Sequence, residues 1–326
     1  MRKKLIILIF FMLLTAVSGY VWNQPGILLH KEQVLDHKVE GFPSSSTFNF
    51  VVFGDSKILP DQPGWKGNVV LSQIIDSVNR DSPAFVVYLG DGVDKGGPIS
   101  NLLAFRSALE KLKMPWYPVI GNHEVLRGAG TERQGDGEQN YIEVFADKLT
   151  QEDARGRKVS YYSFDYLDSH FIVMDTAWQG KKDDSGIGLF PGSLQWQWLE
   201  QDLEKARPKS KHIFILGHKP PLTRYKPVLP IISKSQGDSK ETGYDSSWGN
   251  REAVESFIGL CRRYSVDAVF SGHIHIYDSF KDGGTTHIIS GGAGAGLYAP
   301  PDQGGYFHYV VCRVNQDGVS YDVVRL

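Results

Sequence analysis

The sequence predicts an α/β fold, and three observations carry the prediction. Short β-rich runs alternate with amphipathic helical stretches as far as Ser271. The runs are apolar almost throughout, the pattern of strands buried on both faces. Glycine, with 35 residues, gathers where the runs end and the chain must turn tightly. The runs fall at 48–53, 85–89, 116–120, 171–174, 212–216 and 268–271, with helical patterns at 69–79, 99–112, 194–206 and 251–264 between them. Ser193 and Asn250 each stand one residue ahead of a helical pattern, where a side-chain oxygen can cap free N–H groups. From Thr285 onward the pattern turns to strands alone, with glycine-rich breaks at 291–296 and 304–305. No internal repeat of roughly 20–50 residues is present, and no Pro/Gly linker divides the chain, so 47–326 reads as one domain. Residues 222–248, rich in Lys, Ser, Gly and Pro, read as a long surface loop of the kind that often carries function.

The chain has 326 residues, 41% hydrophobic and 22% charged. These proportions belong to a soluble globular protein and exclude a disordered chain, a collagen-like fibre and a polytopic membrane protein. A core of this size forms without covalent staples, and aromatics at 12% predict that it is rich in rings. The first 18 residues carry Arg2, Lys3 and Lys4 and no acid, so their loss takes the formal charge from −2 to −5. A mildly acidic domain lacks the basic excess of a general nucleic-acid binder. Cys261, in a helical pattern, and Cys312, in a strand pattern, read as two separate buried thiols rather than a disulfide framework.

The N-terminus has the order of an export signal. Arg2-Lys3-Lys4 precedes an apolar run from Leu5 to Leu14, then Thr15-Ala16-Val17-Ser18-Gly19, which places cleavage after Ser18. Counted on through Tyr20, Val21 and Trp22, the apolar stretch over 5–22 reaches the lower limit of about 18 residues for crossing a bilayer. An uncleaved membrane anchor is therefore the competing reading, and Ser18-Gly19, which interrupts the run, favours the signal. Either reading exports the domain to a periplasmic or extracellular location, with 19–46 as a polar link.

In open α/β sheets, ligands bind just beyond the carboxyl ends of strands. Here those ends read Gly54-Asp55-Ser56-Lys57, Gly90-Asp91-Gly92-Val93-Asp94, Gly121-Asn122-His123-Glu124, Gly217-His218-Lys219 and Gly272-His273-Ile274-His275. Asp, Asn and His together are a hard-to-borderline ligand set suited to Mn, Fe or Zn ions. Each piece alone has a plainer explanation, since Gly-Asp is common turn chemistry and Glu124 could simply start a helix. His273 and His275 alternate along the chain and so face one side together, which suits ligation better than packing. His170, His212, His287 and His308 lie inside strand patterns and read as structural, and His30 and His37 lie in the polar link.

The ordered series Gly-Asp, Gly-Asp-x-x-Asp, Gly-Asn-His-Glu, Gly-His and Gly-His-x-His resembles the calcineurin-like metallophosphoesterases, purple acid phosphatases among them. The resemblance runs from Asp55 to His275, with softer echoes at 161–164, 171–176, Trp198-Leu199 and 290–294. It implies a four-layer α/β/β/α sandwich with two divalent or trivalent metal ions (Mn, Fe or Zn) at the sheets' carboxyl edge. It also implies that Asp91 bridges the metals, that Asn122, His218 and His273 complete one site, and that Asp55 and His275 serve the other. His123 takes the place of the family's catalytic acid, with Asp94 orienting its ring. The implied reaction is hydrolysis of a small phosphoester by metal-activated hydroxide, without a phosphoenzyme.

One ligand departs from the family pattern. Many members read Asp-x-His in the first motif, and Lys57 stands where that histidine would be. Purple acid phosphatases also lack it but use a tyrosine in the second motif, where this chain has Asp94. Lys57 then contacts the substrate phosphate, or the Asp55 site binds metal weakly, or another side chain supplies the ligand; the first two together are favoured, since an ammonium beside phosphate is a familiar arrangement. Two other function classes remain on the sequence. A catalytically silent calcineurin-like scaffold fits Lys57 but not the retained His123. A GDSL-type serine esterase would use Ser56, yet no aspartate stands three residues before any histidine to complete its base. Trp65 and Trp248, in two of the loops that would set specificity, could stack on a base or sugar or simply pack.

Overall fold

The computed structural model describes residues 47–94, 98–125, 136–177, 189–225 and 244–326. The expected export signal (1–18), the expected polar link (19–46) and much of the expected loop at 222–248 lie outside the described residues. Two mixed β-sheets form the framework. In the first, β1 (Phe48–Phe53) is central and pairs in parallel with β2 (Phe85–Tyr88), which pairs with β3 (Trp116–Pro118). On its other side β1 pairs antiparallel with β10 (His308–Asn315), and β11 (Gly318–Arg325) closes that edge. In the second sheet β5 (Ser169–Val173), β6 (His212–Leu216), β7 (Ala268–Ser271) and β9 (Thr285–Ser290) are parallel neighbours, with β4 (Tyr162–Tyr166) and β8 (Tyr277–Asp282) as antiparallel edges.

The four-layer order follows from the period of two along the strands. On β6, Phe214 and Leu216 point into a core shared with the first sheet, while Ile213 and Ile215 point into a second core. Strands β5 and β7 divide the same way, with Phe171 and Phe270 on the shared side and Ile172 and Val269 on the other. The layer between the sheets is aromatic, as the composition predicts: Phe50 meets Phe171, Phe214 and Phe270 at centroid distances of 5.2, 5.3 and 5.7 Å. These are edge-on contacts, the arrangement ring quadrupoles prefer.

Helices cover both outer faces. On the first sheet lie α1 (Lys66–Asp81) and α2 (Ile99–Leu109), whose Phe105 packs on Tyr88 of β2 at 4.7 Å. The short α3 (Asn122–Val125) follows β3, and α4 (Asp136–Val144) contacts both α2 and α3. On the second sheet lie α5 (Leu194–Ala206) and α6 (Arg251–Arg263), which bring Trp196, Leu199, Leu203 and Phe257 to the second core. Ser193 Oγ accepts from Trp196 N and Asn250 Oδ1 from Ala253 N, so both expected caps form. Cys261 and Cys312 are free and buried in separate elements. No helix among the described residues is long and apolar enough to cross a membrane.

Candidate metal centre

The five strand ends converge. Asp55 follows β1, Asp91 follows β2, Asn122 and His123 open α3, His218 follows β6, and His273 and His275 follow β7. Four of the residues gathered here, Asp55, Lys57, Asp91 and His273, hold left-handed backbone, with φ of 67°, 47°, 54° and 67°. Such conformations cost about 1–3 kcal/mol each in a non-glycine residue and persist only where surrounding contacts over-determine them. Two glycines are required by close approach. A Cβ on Gly121 would collide with Asp91 Oδ1, and one on Gly272 with Asp55 Oδ2.

Asp91 is the hub. Its Oδ1 accepts from the His123 backbone N–H at 2.8 Å and lies 3.2 Å from His218 Nε2. Its Oδ2 faces Lys57 Nζ at 3.6 Å and His123 Nε2 at 3.8 Å. Burial alone would raise this carboxyl, but His218, His123 and Lys57 hold it well below the usual carboxylate range. His218 Nδ1 donates to the Leu89 carbonyl at 2.8 Å, which turns Nε2 towards Asn122 Oδ1 at 3.0 Å. Two acceptor oxygens on one ring nitrogen need a proton or a cation between them. Burial acts to lower His218, yet the Asp91 charge carries it up to about 9. His273 completes the cluster, its ligand atom lying with those of Asp91 and His218 within 4.8 Å of one another. Burial, with His218 and Lys219 nearby, pushes His273 well below its ordinary value and so keeps it neutral, the form that ligates.

A second group adjoins this one. Asp55 Oδ2 accepts from His273 N at 2.9 Å, while Asp55 Oδ1 lies 3.5 Å from His275 Nε2. Neither of those last two atoms has a hydrogen-bond partner, although both are buried. His275 Nδ1 donates to the Gly296 carbonyl at 2.6 Å, so its Nε2 carries the free lone pair. A buried carboxylate oxygen and a buried imidazole nitrogen, both unpartnered and facing each other, fit a shared cation. The chemistry of the donors therefore agrees with metal at both groups.

Lys57 does not extend to Asp55. Its Nζ sits 3.0 Å from His123 Nε2, on the Oδ2 side of Asp91. Asp94 does hold the His123 ring, but through its backbone carbonyl, 2.6 Å from Nδ1, rather than through its carboxylate. Ser56 is fully buried, and its hydroxyl bonds Tyr88 Oη at 2.7 Å and the Gly92 carbonyl at 3.0 Å. No imidazole is among these partners, which removes the serine-esterase reading. Trp248 is buried against Phe257, while Trp65 is 41% exposed and donates to the Lys57 carbonyl.

Two buried charges were not picked out in the sequence. Glu124 accepts from four backbone N–H groups: Gly92 at 2.7 Å, Gly121 at 2.8 Å, Asp91 at 2.9 Å and Val93 at 3.3 Å. It ties the turn after β2 to the turn after β3, so it sets where Asp91 and Asn122 stand. Burial, then the Asp91 charge, push its carboxyl above the usual range. Lys219, next to His218, donates to the Ala177 carbonyl at 2.9 Å, and burial lowers it to about 8. The available signal for Glu124 was an acid three residues beyond a strand-ending glycine, a pattern that a helix start also explains.

The family model described as calcineurin-like phosphoesterase matches residues 48–277. An acid phosphatase of Aspergillus ficuum is 28% identical over 36% of this chain and 21% of its own length. "Probable inactive purple acid phosphatase 27" of Arabidopsis thaliana is 26% identical over 72% of this chain and 38% of its own. The chain thus spans well under half the length of these curated relatives. In structure it is similar to the purple acid phosphatase PPD1 of yellow lupin seeds, with a TM-score of 0.61 at 21% identity over 87% of this chain and 52% of that one.

Proposed function

Since the chain belongs to the calcineurin-like phosphoesterase family, we propose that it hydrolyses a small phosphoester at a centre of two divalent or trivalent metal ions (Mn, Fe or Zn). The observation that carries this reading is the unpartnered pair Asp55 Oδ1 and His275 Nε2, beside the Asp91–His218–His273 cluster. Asp91, Asn122, His218 and His273 would hold one ion, and Asp55, Asp91 and His275 the other. Such ions, when bound, lower the pKa of a coordinated water and offset charge on phosphoryl oxygens.

The remaining chemistry belongs to the chain. With Nδ1 of His123 tied to the Asp94 carbonyl, only Nε2 is left to pass a proton to a leaving oxygen. Lys57 Nζ, 3.0 Å from that nitrogen and 15% exposed in its side chain, is placed to pair with a phosphoryl oxygen. Its position also weakens the second ion's site, because an ammonium already faces Asp91 Oδ2. Hydrolysis of an aryl phosphate monoester and its diester, with Mn²⁺, with Zn²⁺ and after chelation, tests the reading, and the preferred ester narrows the substrate class.

A second reading is a scaffold without activity. The relative named as inactive and the lysine in place of a ligand favour it. It predicts a folded protein that retains no metal after dialysis against micromolar Mn²⁺ or Zn²⁺. We further propose that residues 1–18 direct export and are cleaved after Ser18, with 5–22 as a membrane anchor if they are not. Mass determination of the protein recovered from a producing cell distinguishes these.

A further inference from the structure

A cavity of about 850 Å³ lies one ring beyond the candidate metal centre. The ring is Tyr298. It stacks on His275 with centroids 4.1 Å apart, its N–H donates to the His275 carbonyl at 3.2 Å, and it also lines the cavity. The cavity's size is in the range of about 300–1,000 Å³ that small-molecule pockets occupy. Its walls carry Tyr225, Tyr277, Tyr298 and Tyr306. Tyr225 and Tyr298 are inclined by 28° with centroids 6.4 Å apart, and Tyr277 and Tyr306 by 34° at 6.2 Å. Both pairs stand near the far end of the ring-pair range, so neither covers its partner's face closely.

The polar groups of this cavity divide into spent and available. Arg224 is neutralised by Asp278, to which both its Nε and Nη2 donate. Arg325 is not: its guanidinium lies 3.8 Å over the Tyr306 ring, and no carboxylate pairs with it among the described residues. A guanidinium that meets a ring face and no carboxylate keeps its N–H donors for a ligand. Asp302 and Gln303 line the same cavity and are exposed. Ring faces, a donor edge, a carboxylate and an amide together match a flat, hydrogen-bonding ring that carries hydroxyls. An aliphatic tail would leave these groups unmatched.

We propose that this cavity is the subsite for the leaving group of the phosphoester, and that the leaving group it takes is a nucleoside. The proposal rests on the phosphoesterase reading for the word leaving group, and on the cavity alone for the ligand class. The phosphate would sit at the strand ends, with the nucleoside passing over Tyr298 and its base lying against the tyrosine faces.

The test separates the two readings. Adenosine is titrated into the full chain without metal, with saturation-transfer NMR as the readout, and the KM for adenosine monophosphate is compared with that for glycerol phosphate in the metal-loaded protein. The expected results are direct adenosine binding and a KM at least tenfold lower for the nucleotide. Tyr225→Leu should weaken adenosine binding at least fivefold and bring the two KM values together, whereas Tyr225→Phe, which keeps the ring face, should preserve both effects. Circular dichroism confirms that each variant is folded. Turnover of glycerol phosphate with no adenosine binding and equal KM values overturns the proposal and leaves the phosphoesterase reading intact. Adenosine binding with neither ester hydrolysed supports the ligand class and overturns the phosphoesterase reading instead.

Discussion

Replacing Glu124 by glutamine should destabilise the protein and loosen the metal centre together. The carboxylate is 1% exposed and accepts from four backbone donors, two on each oxygen. An amide offers one oxygen and one NH₂, so whichever way it turns, two buried N–H groups lose their acceptor and face a donor. A buried donor left unmet costs about 1–3 kcal/mol, so the expected loss is about 2–4 kcal/mol, a large share of the roughly 5–15 kcal/mol of a typical domain. In urea this moves the unfolding midpoint down by about 1 M at unchanged slope. Because the same carboxylate fixes Asp91 and Asn122, metal affinity should fall by about 10–100-fold, as for other groups that orient ligands. Urea titration and calorimetric Mn²⁺ binding, on wild type and Glu124→Gln, give both numbers. A loss under about 1 kcal/mol with unchanged metal affinity would refute the claim that this carboxylate holds the two turns in place.

Other expectations are independent of that one. Lys57→His restores the usual ligand type at the first motif, so metal content by elemental analysis should rise towards two ions per chain; equal content in both proteins would remove the weak-site explanation. Ser56→Ala should retain hydrolysis, since the hydroxyl serves Tyr88 and Gly92 and not a substrate; lost turnover in a folded variant would contradict this. His170 donates to Asp165 at 2.6 Å and Asp202 at 2.9 Å, and although burial lowers its pKa, these two carboxylates raise it above the ordinary value on balance. A raised folded pKa means that its contribution is complete below the unfolded pKa of about 6.5 and is lost as pH rises through the folded value. The stability gap between wild type and His170→Gln should therefore narrow from pH 5.5 to pH 9, and a gap that widens would reverse the sign. Burial raises both thiols, Cys261 and Cys312, so a thiol reagent should label neither in the native protein.

Much of the framework was legible because parallel strands buried on both faces are written as unbroken apolar runs. The runs at 48–53, 212–216 and 268–271 coincide with β1, β6 and β7, and the caps at Ser193 and Asn250 form as their side chains require. The edge strands were harder. Strand β8, with the sequence Tyr-Asp-Ser-Phe-Lys-Asp, buries only Phe280, so it carries neither a full run nor a clean alternation. The 171–174 run is shifted against β5, which opens on Ser169 and His170, polar residues outside the apolar run although His170 is buried between two carboxylates.

The candidate ligands were legible for a different reason. Glycine-led aspartates and histidines at successive strand ends have no common packing role, and the topology brings all of those ends to one place. What could not be read was how the groups are held. Glu124 acts through backbone donors that leave no trace in side-chain spacing, and Asp94 acts on His123 through a carbonyl that any residue possesses. The placement of Lys57 against His123 instead of beside Asp55 depends on left-handed backbone at position 57, which a lysine does not announce.

A metal centre at the strand ends that hydrolyses phosphoesters must lose both metal and activity when the Asp91 charge is removed. Its most direct test is turnover of an aryl phosphate by the metal-loaded protein beside Asp91→Asn, the change that removes the charge shared by both ligand groups while keeping the shape. Metal-dependent turnover is expected in wild type, abolished by chelation and lost in the variant together with its bound metal. Turnover that survives chelation, or an Asp91→Asn protein as active as wild type, would contradict it.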